Sequence, residues 1–255
     1  MSVNAILQAR VSSTRLPGKV LKKIMNKTML ELEIERINSA SQIDKLIVAT
    51  SIERDDDPIE SLCNALDVSC YRGSLDDVLT RFYEASVKYK CDHIVRLTGD
   101  CPLIEAAIID EVIALHLQTG AHYTSNCCPP SLPDGLDVEV FTQGTLEKSW
   151  LNAKKPSERE HVTQYVHNNK SLFHIENYSY VNDLSRYRWT VDEPEDLKFV
   201  EEIFQALYLK KQHFTMNDIL SLLNKEPSLA QINSQYHRNQ GLDKSKGEDK
   251  EQCFD

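Results

Sequence analysis

Short apolar runs of strand length alternate with amphipathic stretches of helix length along this chain, and such a pattern buries itself as a sheet with helices on both faces. Residues 5–8 read as the first strand, 29–40 as a helix and 45–50 as a second, buried strand. The turn Asp55-Asp56-Asp57 starts a helix through Ala65, with Pro58 in its first turn, where a missing N–H costs nothing. Residues 68–71 form a third strand. Ser74-Leu75-Asp76-Asp77 has the S-x-x-D form of an N-cap for a helix carrying Val78, Phe82, Ala85 and Tyr89. Residues 93–97 are the next strand, and Gly120 caps a helix over 108–117.

The second half is less regular. Cys128-Pro129-Pro130-Ser131-Leu132-Pro133-Asp134-Gly135 is a turn-rich loop before a strand at 138–141, and a helix is expected over 160–167. A strand at 187–191 runs into Asp192-Glu193-Pro194-Glu195-Asp196, whose proline and acidic first turn begin a helix reaching Leu207. A helix over 215–223 closes one core, expected to occupy residues 1–230. Residues 233–255 are polar, with too few apolar side chains to offset their ordering entropy, and read as a disordered tail.

Charge narrows the function. The chain carries a formal net charge of -10, yet residues 1–30 hold Arg10, Arg15, Lys19, Lys22, Lys23 and Lys27 and no Asp or Glu. An acidic protein repels polyanions in general, so nucleic acid is excluded as a partner and the local positive field suits a small anion such as a nucleoside triphosphate or a sugar acid. No run approaches the ~18 apolar residues of a membrane span and no charged n-region opens the chain, so a cytoplasmic location away from membranes is expected. The seven cysteines include no CxxC pair, and Cys127-Cys128 reads as space-filling thiols.

In an open α/β sheet, ligands bind beyond the carboxyl ends of the strands. The loops 9–19, 98–103 and 192–196 stand at three such ends and share one rim if their strands are neighbours. A cationic loop facing acidic strand ends suits phosphoryl or nucleotidyl transfer, where catalysis is mostly positioning and charge neutralisation. Asp100 and Asp192 would give a divalent metal two hard oxygen ligands, although an Asp at a strand end also serves as a helix cap. The loop is not a Walker A motif, because G-x-x-x-x-G-K-[ST] is absent.

Its ordered combination Ala9-Arg10-x-x-Ser13-x-Arg15-Leu16-Pro17-Gly18-Lys19 resembles the N-terminal signature of the sugar-acid cytidylyltransferases, namely the 3-deoxy-manno-octulosonate and acylneuraminate types and most of all the spore-coat-polysaccharide type. Tyr71-Arg72-Gly73-Ser74-Leu75-Asp76-Asp77, Leu97-Thr98-Gly99-Asp100-Cys101-Pro102-Leu103, Asp134-Gly135-Leu136-Asp137-Val138-Glu139, Arg159-Glu160-His161-Val162-Thr163 and Thr190-Val191-Asp192-Glu193-Pro194 extend the similarity, in order, over residues 3–225.

The resemblance implies a nucleotide-diphospho-sugar transferase fold, Rossmann-like with a mostly parallel sheet, and Mg²⁺-dependent transfer of CMP from CTP to a sugar-acid-like acceptor with loss of pyrophosphate. By it, Arg10, Arg15 and Lys19 hold the triphosphate, with Lys19 neutralising charge at the α-phosphate, and Asp100 and Asp192 match the metal-binding aspartates. Leu7, Ala9, Ser13, Arg72, Gly73, Ser74, Asp77 and Thr98 match the remaining nucleotide contacts, Thr98 standing where the octulosonate enzymes carry a longer Gln. Arg72 and Asp77 read equally well as a surface charge and a helix cap. Asp134, Asp137, Glu139, Arg159, Glu160 and His161 are implied for the acceptor, and a homodimer using residues 125–185 as an arm is implied as well.

Two rival readings stand beside this one. A glycosyltransferase needs an Asp-x-Asp metal motif, which Asp55-Asp56-Asp57 spells, and a non-catalytic nucleotide-binding protein is a further possibility that the presence of Lys19, Asp100 and Asp192 disfavours.

Overall fold

A computed structural model describes residues 1–238. Its main sheet comprises β1 (Val3–Gln8), β4 (Lys45–Ser51), β5 (Ser69–Gly73), β6 (His93–Thr98), β7 (Tyr123–Ser125), β8 (Glu139–Thr142) and β9 (Ile175–Asn177), while β2 (Lys23–Ile24) and β3 (Lys27–Thr28) form a separate small hairpin. The spatial order is β5-β4-β1-β6-β8-β7-β9. The pairs β5-β4, β4-β1, β1-β6 and β7-β9 are parallel, and β8 runs antiparallel to both its neighbours.

The central strands read as near-continuous apolar runs because both of their faces are covered. Ala5 and Leu7 of β1 point into one apolar cluster and Ile6 into the other, as the period-2 alternation of a strand requires. The first cluster is closed by α1 (Met29–Ile37), α2 (Asp57–Ala65), α4 (Ala106–Thr119), α8 (Pro194–Leu207) and α9 (Met216–Lys225). The second is closed by α3 (Val78–Lys88), α5 (Gln143–Asn152) and α7 (Gln164–Asn168), with the short α6 (Pro156–Glu160) alongside. No helix of the described residues is long and apolar enough to cross a membrane.

Four local expectations need correction. The helix expected over 160–167 is two short helices, because Val162 adopts a left-handed φ of 41°, rare for a β-branched residue, and breaks the run at 161–163. The stretch 187–191 is extended, with Trp189 and Val191 buried, but pairs only through a bridge between Arg188 and Asp134 and joins no strand of the sheet. The N-cap of α3 is Asp77, which accepts from Thr80 N, while the Ser74 hydroxyl instead accepts from Asp77 N. Asn233, expected to begin a loose tail, is instead 3% exposed and donates to Arg188 O and to Asp196, while Ser234, Gln235 and His237 are exposed. The rest of the expected tail lies outside the described residues.

Candidate active site

The chain leaves β1 for β4 and β5 on one side and returns as β6 on the other, so the strand order reverses between β1 and β6. Side chains cannot fill the crevice that such a reversal opens beyond the strand ends. A cleft of about 1130 Å³ occupies this place, with Gln8 and Ala9 at the end of β1 and Thr98 and Gly99 at the end of β6 in its wall. All three strand-end loops singled out above reach it.

Loop 9–18 is folded on itself rather than splayed. Val11 O accepts from Ser13 N at 2.8 Å and from Gly18 N at 3.0 Å, and Val11 N donates to Asp56 Oδ1 at 2.7 Å. Gly18, at φ 68°, turns the chain so that Lys19 enters the interior, where it is 9% exposed. Asp56 ties this loop to Ser51 and Asp57 pairs with Arg72, so the Asp55-Asp56-Asp57 segment serves as an anchor and a helix entry.

Lys19 Nζ lies 2.9 Å from Asp192 Oδ1 and 3.2 Å from Asp100 Oδ2, and it donates to Val191 O at 2.8 Å. Arg15 reaches the same carboxylate, 3.0 Å from Asp192, and Glu193 at 3.2 Å. Burial alone would raise the Asp100 carboxyl, but the Lys19 ammonium and the Thr98 hydroxyl, 2.6 Å away, outweigh it and bring the pKa down to about 2. Burial likewise opposes charge on Lys19, and the two carboxylates overcome it and raise its pKa. The two aspartates therefore converge on one point, where this structure holds the lysine.

Three of the carboxylates implied for the acceptor, Asp134, Asp137 and Glu139, are paired with arginines. Glu139 accepts from Arg96, from Tyr123 OH at 2.6 Å and from Thr163 Oγ1 at 2.7 Å, and Arg96 also donates to Gln8. Arg188 joins Asp134, Asp192 and the fully buried Asp196 with contacts of 3.1, 3.2 and 2.9 Å. Arg238 donates to both oxygens of Asp137, at 2.8 and 3.0 Å, and to Leu132 O. Burial and the neighbouring Asp137 nevertheless push Asp134 up to about 7.

Gly135 makes the approach of the 134–139 segment to 188–190 possible. Its φ is 106°, and a Cβ there would lie 2.5 Å from Thr190 N.

Arg10, Ser13, Asp137, Glu160 and His161 line the cleft with the residues already described. Others of the expected set do not. Arg159 and Asp77 bind each other at the start of α3, Arg159 also donating to Trp150 O and Thr80. Arg72 donates to the carbonyls of Ser51 and Glu53 and pairs with Glu60 and Asp57. Leu7 is core, and Gly73 and Ser74 are not in the cleft wall. Sequence reasoning missed Arg81, Arg96, Arg188, His237 and Arg238, all in the cleft wall or bonded to it. Arg188 lies inside the expected strand 187–191 and is buried beside Trp189, against the alternation a strand predicts.

Fold and cleft define the class, an α/β enzyme of the nucleotide-diphospho-sugar transferase type built on one mostly parallel main sheet, with its cleft at the switch point. The chain belongs to the cytidylyltransferase family, whose model, described as "Cytidylyltransferase", matches residues 4–221. A solved cytidylyltransferase from Leptospira borgpetersenii superposes with a TM-score of 0.87 at 35% identity, covering 93% of this chain and 100% of that one. An uncharacterized protein of Methanocaldococcus jannaschii is 40% identical over 92% of this chain and 95% of its own length. The spore coat polysaccharide biosynthesis protein SpsF of Bacillus subtilis is 31% identical over 88% of this chain and 95% of its own.

Proposed function

We propose that this enzyme moves CMP from CTP to a hydroxyl of a sugar-acid-like acceptor destined for surface polysaccharide. The hydroxyl oxygen bonds to the α-phosphorus, the bond from that phosphorus to the bridging oxygen breaks, pyrophosphate leaves with the electron pair, and the hydroxyl proton is lost to solvent. The observation that carries this reading is Lys19, inserted between Asp100 and Asp192 at the switch point, beside the Arg10 and Arg15 loop.

Two carboxylates within reach of one ammonium form a donor set that Mg²⁺ accepts, since that ion takes hard oxygens and completes its shell with water and phosphate. Among the described residues no third His, Cys, Asp or Glu joins them, in keeping with a metal completed by the nucleotide. Asp100 and Asp192 would hold the ion, which supplies charge neutralisation on the phosphate oxygens when bound. Arg10 and Arg15 would bind and orient the triphosphate, and Lys19, exchanging carboxylate for phosphate, would stabilise charge at the α-phosphate. Arg96 and Arg188 hold Glu139 and Asp134 in place for acceptor hydroxyls.

The direct test is pyrophosphate release from CTP, with and without Mg²⁺, across a panel of sugar acids including 3-deoxy-manno-octulosonate, with UTP and ATP as nucleotide controls. Silence with every acceptor together with no CTP binding by calorimetry overturns the reading. We also read residues 125–185 as a homodimer arm, in which Leu172 and Val181 are exposed, and sedimentation at micromolar concentration checks it.

A further inference from the structure

Arg81 is the fourth residue of α3 and stands in the wall of the cleft, on the side of Arg10. It is 1% exposed, yet no carboxylate pairs with it among the described residues. Nη1 donates to Ser74 O at 2.6 Å, while Nε, also buried, has no hydrogen-bond partner. A buried guanidinium edge without an acceptor costs stability, and native structures keep such a group where something else satisfies it.

The surroundings are built to keep it there. β5 ends in Gly73, and a Cβ at that position would come within 3.0 Å of Arg81 Cγ and 3.2 Å of its Cβ, so the glycine makes room for the arginine stem. Arg10, across the gap, adds a second positive charge. Burial first, and then Arg10, lower the Arg81 pKa to about 10, and the carboxylates of Asp56 and Asp77, neither of them paired with it, only partly offset the two.

We propose that Arg81 is a nucleotide-binding residue whose unpaired edge donates to an oxygen of the bound nucleoside triphosphate beside Arg10. The inference rests on the cytidylyltransferase reading and assigns it a contact outside the loop motif. The acceptor oxygen belongs either to the phosphate chain or to the base carbonyl. Both present the same lone pairs to a guanidinium fork.

Calorimetry of wild type, Arg81→Lys and Arg81→Met with CTP, CMP and tripolyphosphate tests this, with a thermal melt to confirm that each variant is folded. CTP binding weakened roughly ten-fold or more in folded variants supports the proposal. Weakened tripolyphosphate marks phosphate as the acceptor, and equally weakened CTP and CMP with unchanged tripolyphosphate mark the base. Unchanged affinity for all three probes overturns it. Should both variants fail to fold, a wild-type crystal with CTP decides: a nucleotide oxygen within about 3.2 Å of the guanidinium supports the contact, and none within hydrogen-bond reach overturns it. No CTP binding by wild type overturns the nucleotide reading and this proposal with it, whereas intact wild-type binding with an indifferent Arg81→Lys overturns this proposal alone.

Discussion

Lys19 Nζ stands 2.9 Å from Asp192 Oδ1, with Asp100 on its other side, so one ammonium neutralises two carboxylates drawn from loops 92 residues apart in sequence. Removing the lysine takes away the cation paired with Asp100, while Arg15 and Arg188 still reach Asp192. Lys19→Ala should therefore lose about 1–3 kcal/mol, between the values for exposed and for fully buried pairs. If Mg²⁺ can take the place of the ammonium, it should raise the melting temperature of this variant more than that of wild type. Turnover with CTP should fall roughly a hundredfold or more, and turnover near wild type would show that the lysine has no part in the reaction.

Asn233 anchors the C-terminal segment to the Arg188 and Asp196 hub with bonds of 3.0 and 2.8 Å. Asn233→Ala should cost about 1–3 kcal/mol, because it strips a buried donor from a buried carboxylate and a carbonyl. Urea unfolding followed by tryptophan fluorescence checks this. A midpoint equal to that of wild type would mean that the segment does not hold in solution.

Gly135 combines a φ of 106° with a contact that leaves no room for a side chain. Gly135→Ala should destabilise by about 4 kcal/mol or more, among the largest single-residue effects expected in this chain. A circular-dichroism melt within a few degrees of wild type would contradict the tight crossing of 134–136 over 188–190.

His116 is buried against β7, 2.9 Å from His93 and 3.1 Å from Thr124 Oγ1, and burial, followed by the charge of His93, lowers its pKa to about 4. The unfolded chain takes up this proton near 6.5 and the folded protein only near 4, so the stability it contributes is complete above pH 6.5 and is lost as the pH falls between those values. The loss should amount to about 3 kcal/mol. Urea midpoints measured from pH 7.5 to 4 should decline over that window, and His116→Gln should flatten the decline.

The strand ends were legible because each is a local word. Arg10 through Lys19, Thr98 through Leu103 and the Asp192 helix entry keep their order whatever surrounds them, and β1 meeting β6 brought them to one rim. Arg96, Arg188 and Arg238 were not legible. An arginine inside a strand-like or tail-like stretch gives no sign of the carboxylate it will meet, which in Arg238 lies 101 residues away. Arg72, Asp77 and Arg159 stand in recognisable motifs, and their partners here, on α2 and at the cap of α3, are not written in those motifs. Val162 shows a third limit, since its left-handed turn follows from tertiary packing and contradicts its own propensity.

β8 enters the sheet at the very rim where β6 leaves it, setting Glu139 opposite Arg96. Because it runs backwards, the 126–138 loop arrives at the cleft from outside the parallel β5-β4-β1-β6 unit and contributes no strand to it. The register of β1 against β6 is set without any pairing to that loop. The cleft is thus walled by two stretches of chain of different kinds, a parallel unit built strand by strand and an antiparallel return that is added to its edge.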